Sequence, residues 1–211
     1  VTSEGKVHNL RPVHLVDLWI RIRLLLPAKR VINTIPPEKR GRKERKQMSK
    51  KKYYIAYGSN LSVGQMAYRC PDAKVIGTAV IEDYALLFKG CATIEQREGK
   101  KVPVLIWEIS PSDEKNLDRY EGYPNFYYKK DLTLTVQMTG TDASQELTAM
   151  VYIMDERRRL ASPTGYYYKV LADGYEDFGF DKAILEQALV DSVGKRTARV
   201  FLNGYQDDCR G

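Results

Sequence analysis

Histidine is missing from residues 51–211; the two histidines of the chain, His8 and His14, both come earlier. That absence removes Ser-His-Asp and Cys-His catalysis, and the usual histidine-bearing zinc sites, from the body of the chain. A general base there must be Asp, Glu, Lys or Tyr. Cysteine is scarce too: Cys70, Cys91 and Cys209 are widely spaced, odd in number and form no C-x-x-C pair. Neither a disulfide framework nor a cysteine-rich metal site follows, and reduced thiols in a cytoplasmic protein are expected. No apolar run reaches the length of a membrane span. Residues 13–26 come nearest, but Asp17, Arg21 and Arg23 interrupt them and no small-residue cleavage site follows. Neither a membrane association nor a signal peptide is therefore expected.

Charge is unevenly placed. The 211 residues carry a net +7, which on its own would raise nucleic acid as a partner. Residues 1–50 hold 13 Lys/Arg and 4 Asp/Glu, a net of +9, so residues 51–211 hold 21 and 23, a net of −2. The basic character belongs to the N-terminal stretch. The run Lys39-Arg40-Gly41-Arg42-Lys43-Glu44-Arg45-Lys46 cannot bury itself, and residues 1–47 read as a basic, disordered extension. Met48-Ser49-Lys50-Lys51-Lys52 then leads straight into an apolar segment. Two readings of the extension stand: an upstream valine-type start with Met48 as the true initiator, or a basic arm, residues 29–52, that binds nucleic acid or an acidic surface.

What is present beyond residue 47 reads as one mixed domain, 48–195, followed by a C-terminal tail, 196–211. Strand-like runs fall at 53–57, 75–80, 84–88, 93–96, 102–109, 127–136 and 147–154. Helical spacing falls near 63–69, 111–120, 166–173 and 182–192, and residues 204–211 read as polar. Short links between strands favour antiparallel pairing. The expected architecture is α+β: a mixed, largely antiparallel sheet curled into a small barrel with a few flanking helices.

Two segments carry the chemistry. The first is the turn Tyr57-Gly58-Ser59-Asn60, which closes the apolar run Tyr53-Tyr54-Ile55-Ala56. Gly58 allows backbone angles closed to other residues, and Ser62-Val63-Gly64-Gln65 reads as a capping box. A helix starting there would direct N–H groups toward the loop, where they can hold a carboxylate or an oxyanion. The second is Leu117-Asp118-Arg119-Tyr120-Glu121-Gly122-Tyr123-Pro124. Ser110, Pro111 and Asp113 make a good helix start and Gly122 a natural stop, which puts Glu121 at the negative end of the helix. An anion is disfavoured there, and burial by Tyr120 and Tyr123 would push the Glu121 carboxyl up as well. All 15 tyrosines lie at or after Tyr53; Tyr57, Tyr127, Tyr128 and Tyr152 fall at or within expected strands, where most tyrosines pack with the hydroxyl at the rim, and one or two of these could line a pocket. The combination suggests acid/base chemistry on an amide without a metal.

Tyr54-Ile55-Ala56-Tyr57-Gly58-Ser59-Asn60-Leu61 resembles the substrate loop of the gamma-glutamylcyclotransferase family. Leu117-Asp118-Arg119-Tyr120-Glu121-Gly122 resembles its catalytic segment, and Met150-Val151-Tyr152-Ile153-Met154 the later strand that supplies a substrate-contacting tyrosine, followed by Pro163 and a helix. The likeness covers roughly residues 53–180. It extends to a superfamily whose members act on gamma-glutamyl amino acids, gamma-glutamyl amines or an acyl-carrier-bound antibiotic intermediate. Asn60 departs from the glutathione-specific branch, which typically has leucine there.

The resemblance implies cyclisation of a gamma-glutamyl unit to 5-oxoproline with release of an amine or amino acid. Glu121 is the implied general acid/base; Tyr54, Ile55, Ala56, Tyr57, Gly58, Ser59, Asn60, Leu61 and Tyr152 are the implied substrate-binding residues. No metal or cofactor is implied, and the partner is a small gamma-glutamyl molecule, with the protein a monomer or homodimer. The alternative is a non-catalytic member of the fold that binds a small metabolite.

Overall fold

The computed structural model describes residues 52–208. The extension 1–47, Met48, both histidines, Cys209 and all but Lys52 of the proposed nucleic-acid arm lie outside the described residues.

Five strands close into a barrel: β1 (Lys52–Ala56), β2 (Lys74–Lys89), β3 (Cys91–Ile109), β4 (Tyr127–Met138) and β5 (Ser144–Met154). Their order around the barrel is β1-β3-β2-β4-β5. Four neighbouring pairs are antiparallel; β1 closes the ring by lying parallel to β5, with Tyr54 opposite Met150 and Ile55 opposite Val151. Closure removes the sheet edges that would otherwise need covering. Tyr54, Ile55 and Ala56 are buried in succession, which is the mark of a strand covered on both faces. The expected α+β barrel with flanking helices is the architecture the chain adopts.

One bulge changes the strand count. The segments 75–80 and 84–88 are halves of β2, and 93–96 and 102–109 are halves of β3. Register runs from Glu82 opposite Lys101 to Tyr84 opposite Gln96, so the polar stretch 97–100 bulges out against Asp83. Asp83 sits at a φ of 58°, and its carboxylate accepts the Gly99 N–H at 2.8 Å. A second shift between Val75 and Gly77 brings Gly77 against β4, where a Cβ would meet the Gln137 carbonyl oxygen at 2.1 Å. Only glycine lets those two strands join there.

The helices are α1 (Val63–Arg69), α2 (Pro111–Glu121), α3 (Gly165–Asp177), α4 (Lys182–Val193) and α5 (Lys195–Asp208). Ser110 and Asp113 form a reciprocal capping box at the start of α2, with Pro111 at its first position. α4 is pinned to β2 where the Phe88 N–H donates to Ser192 Oγ at 2.7 Å. The C-terminal tail expected over 196–211 is helical through Asp208, the last described residue. Ala198 of α5 is buried, and Phe201, Leu202 and Tyr205 pack on the core. No helix among the described residues is long and apolar enough to cross a membrane.

Candidate active site

The end of β1, the turn after it and the end of α2 converge. Ser59–Leu61 forms a single 3-10 turn, closed by the Leu61 N–H donating to Gly58 O at 2.9 Å. The first N–H groups of such a turn have no carbonyl within it, so Ser59 and Asn60 present backbone donors at its head. Leu61 is fully buried beneath α3, where a Cβ at Gly174 would meet Leu61 Cβ at 2.7 Å. Trp107 Nε1 donates to Asn60 O at 3.1 Å and holds the turn to β3. Ser62 caps α1 by accepting the Gln65 N–H. The expected return contact is absent, because the Gln65 side chain accepts from Arg69 instead.

Gly58 is required for a different reason from the one its position in a turn suggests. Its φ of −113° is open to any residue. A Cβ there would come within 3.1 Å of the Tyr167 hydroxyl, which approaches from α3 and accepts the Ala92 N–H at 3.1 Å. Tyr127 Oη donates to the carbonyl of the same Ala92 at 3.0 Å. One residue of β3 thereby fixes two phenols beside the turn.

Glu121 is the last residue of α2, and Gly122 follows it in the left-handed conformation at φ 67°. Glu121 Oε1 accepts from Asn60 Nδ2 at 3.0 Å, which joins the two segments singled out in the sequence. The residue keeps some solvent contact, but its carboxyl is withdrawn from water. Burial is the dominant influence and pushes the carboxyl up to about 7, although the nearby Arg69 charge and the Asn60 hydrogen bond both pull it down. Tyr123, expected beside it, is 42% exposed, and its ring faces the Lys129 ammonium.

The remaining expected site residues divide by what they can present. Asn60 Nδ2 also donates to Tyr54 Oη at 2.7 Å. The Tyr54 ring meets Tyr152 edge-on, with centroids 5.8 Å apart. Tyr57 Oη donates to the Tyr152 carbonyl at 2.6 Å, and Ser59 Oγ lies 3.3 Å from Tyr120 Oη. Tyr152 Oη donates to Asp118 at 2.6 Å, and Lys129 pairs with the same carboxylate. Ile55, Ala56 and Leu61 are fully enclosed, so only their backbone could meet a ligand. Sequence reasoning missed Arg69 and Tyr167, which reach the site from α1 and α3, and named Tyr127 of β4 only as one of four strand tyrosines that could line a pocket. Nothing in the sequence sets Arg69 apart from an ordinary cation in the last turn of a helix. The tyrosines carried no spacing that set them apart from packing residues.

Residues 54–169 match the sequence profile of the family described as gamma-glutamyl cyclotransferase, AIG2-like. That span holds the turn, Glu121 and Tyr167, while α4 and α5 lie beyond it. The chain is 29% identical over 138 residues to the gamma-glutamylcyclotransferase of Homo sapiens, covering 60% of this chain and 71% of that one. It is 28% identical over 146 residues to that of Mus musculus, covering 64% and 75%. A solved structure of a gamma-glutamyl cyclotransferase matches with a TM-score of 0.57 at 26% identity, over 65% of this chain and 86% of the other. The closed barrel and the acid beside its first turn thus have a class. The chain belongs to the gamma-glutamyl cyclotransferase, AIG2-like family.

Proposed function

We propose that this protein cyclises a gamma-glutamyl unit to 5-oxoproline and releases an amine or amino acid, with Glu121 as general acid/base. The observation that carries the reading is the Glu121 carboxyl, bonded to Asn60 and raised to about 7. A carboxyl that titrates near neutral pH can both accept a proton and return it. In the proposed course, Glu121 takes a proton from the substrate's α-ammonium group. The freed amine attacks the γ-carbonyl carbon; a C–N bond forms and the carbonyl electrons move onto oxygen. The backbone donors of Ser59 and Asn60 are suited to hold that oxygen. Collapse then breaks the bond to the leaving nitrogen. On the way from ammonium to lactam the α-nitrogen gives up two protons, and the leaving nitrogen gains two on the way from amide to ammonium. Glu121 is the group proposed to carry them.

The reaction is intramolecular, so a pocket that folds the glutamyl chain contributes most by orientation, worth about 7–11 kcal/mol in favourable cases. The test is Glu121→Gln, which keeps the shape and cannot shuttle a proton. Release of 5-oxoproline from a panel of gamma-glutamyl amino acids and amines should fall about 10²–10⁴-fold, with substrate binding retained. The wild-type rate should rise with pH through a single carboxyl near 7. Near wild-type turnover by the variant would remove Glu121 from the role.

A further inference from the structure

Arg69, at the end of α1, lies over the Tyr120 ring, with Cζ 3.7 Å from its centroid. It donates to Tyr120 Oη at 2.7 Å, to Ser59 Oγ at 3.3 Å, to Gln65 Oε1 and to Asn60 Oδ1. A guanidinium group has five donors and no acceptor. The side of the Asn60 amide that faces it must therefore be the oxygen. The opposite side is then Nδ2, whose two hydrogens go to Tyr54 Oη and Glu121 Oε1. Turned over, the amide would set its own oxygen against the Glu121 carboxylate and its NH₂ against the Arg69 donors. Both contacts would be repulsive.

A phenol that accepts from Asn60 gives its own hydrogen elsewhere, and among the described residues Tyr54 Oη donates no hydrogen bond. We propose that Arg69 is a positioning residue: by fixing the face of the Asn60 amide it directs one donor to Glu121 and leaves the Tyr54 hydroxyl hydrogen for a substrate oxygen. The substrate step rests on the cyclotransferase reading above; the orientation of Asn60 does not.

Electrostatics give Arg69 a second effect in the same direction. The other groups whose titration feels the Glu121 charge are the phenols of Tyr54, Tyr57, Tyr120, Tyr127, Tyr152 and Tyr167 and the Cys70 thiol. Burial is the leading cause that holds every one of these above its ordinary value, and all stay neutral near pH 7. Arg69 is the cation among the influences on the acid.

The experiment is NMR of the full chain with labelled Asn side-chain amides and Glu carboxyls, titrated from pH 5 to 9, alongside 5-oxoproline release. In the wild type the Asn60 Nδ2 protons should shift with the Glu121 carboxyl. In Arg69→Met that linked shift should vanish, the Glu121 midpoint should rise by about one pH unit, and turnover at pH 7 should fall about tenfold or more. Arg69→Lys, which keeps a cationic donor, should restore the linked shift and part of the turnover. An unchanged Asn60 titration in Arg69→Met would overturn the proposal. So would wild-type Asn60 protons that ignore Glu121, a result that needs no variant to fold. If no gamma-glutamyl compound yields 5-oxoproline while the linked shift behaves as described, the functional reading fails and the Asn60 assignment stands.

Discussion

Single atoms decide what several residues here are for. Gly58 is the clearest case, since its φ is open to any residue while a Cβ added there would crowd the Tyr167 hydroxyl. Gly58→Ala would press a methyl group onto the Tyr167 hydroxyl, 3.1 Å away, and the phenol would have to give by a few tenths of an ångström against its bond to the Ala92 N–H. Overpacking of this kind costs about 1–3 kcal/mol. Tyr167→Phe relieves the contact but leaves the buried Ala92 N–H unpaired, at a similar cost. The two changes share one cause, so the double variant should be no less stable than Tyr167→Phe alone. Urea unfolding of the four proteins measures this; additive losses would mean that the glycine matters for some other reason. Tyr152 shows the same economy of contacts. Its hydroxyl is committed to Asp118, so Asp118→Asn would disturb a site residue and is a poor neutral control for Glu121.

Elements show how composition can hide a pattern. In α5 the apolar positions Ala198, Phe201, Leu202 and Tyr205 follow helical spacing, and Phe201 and Tyr205 stack edge-on against Tyr168 of α3 at 5.3 and 5.1 Å. Phe201→Ala should lower stability by about 1–3 kcal/mol through the lost aromatic pair and its buried area, a drop of several degrees in Tm. An unchanged Tm would mean that the segment behaves as the tail its polar residues suggested. The spacing was legible; Arg199, Asn203 and Gly204 between the apolar positions concealed it. β2 and β3 were hidden differently. The bulge at Asp83 interrupts alternation on both strands, so two long strands read as four short ones. Capping, by contrast, is local chemistry, and the start of α2 and its Gly122 stop were readable from their residues. The same holds for the candidate site. The 57–61 turn and Glu121 were visible as motifs, whereas Arg69, Tyr127 and Tyr167 enter it through tertiary approach, which no spacing along the chain encodes.

At the scale of the whole molecule, a carboxyl withdrawn from water costs the fold stability. Closing the barrel and packing α2 against the first turn buries a carboxyl whose ordinary value is 4.5 and whose value in the fold is about 7. Below the lower value Glu121 is protonated in both folded and unfolded chains, and its burial costs little. Between the two values the folded state binds more protons than the unfolded one, so stability falls as pH rises. Above about 7 the folded protein holds an ionised carboxylate away from water and carries the full cost. A tenfold change in proton affinity corresponds to about 1.4 kcal/mol, and because the residue keeps some solvent contact the loss should be about 1–3 kcal/mol. Glu121→Gln removes this linkage. Its stability relative to the wild type should therefore improve by that amount between pH 5 and pH 8, while other titrating groups cancel in the comparison. Urea unfolding of both proteins at the two pH values gives the difference directly. A gap that does not change with pH would show a carboxyl with an ordinary value in the fold, and the acid/base role would lose its physical basis along with the stability effect.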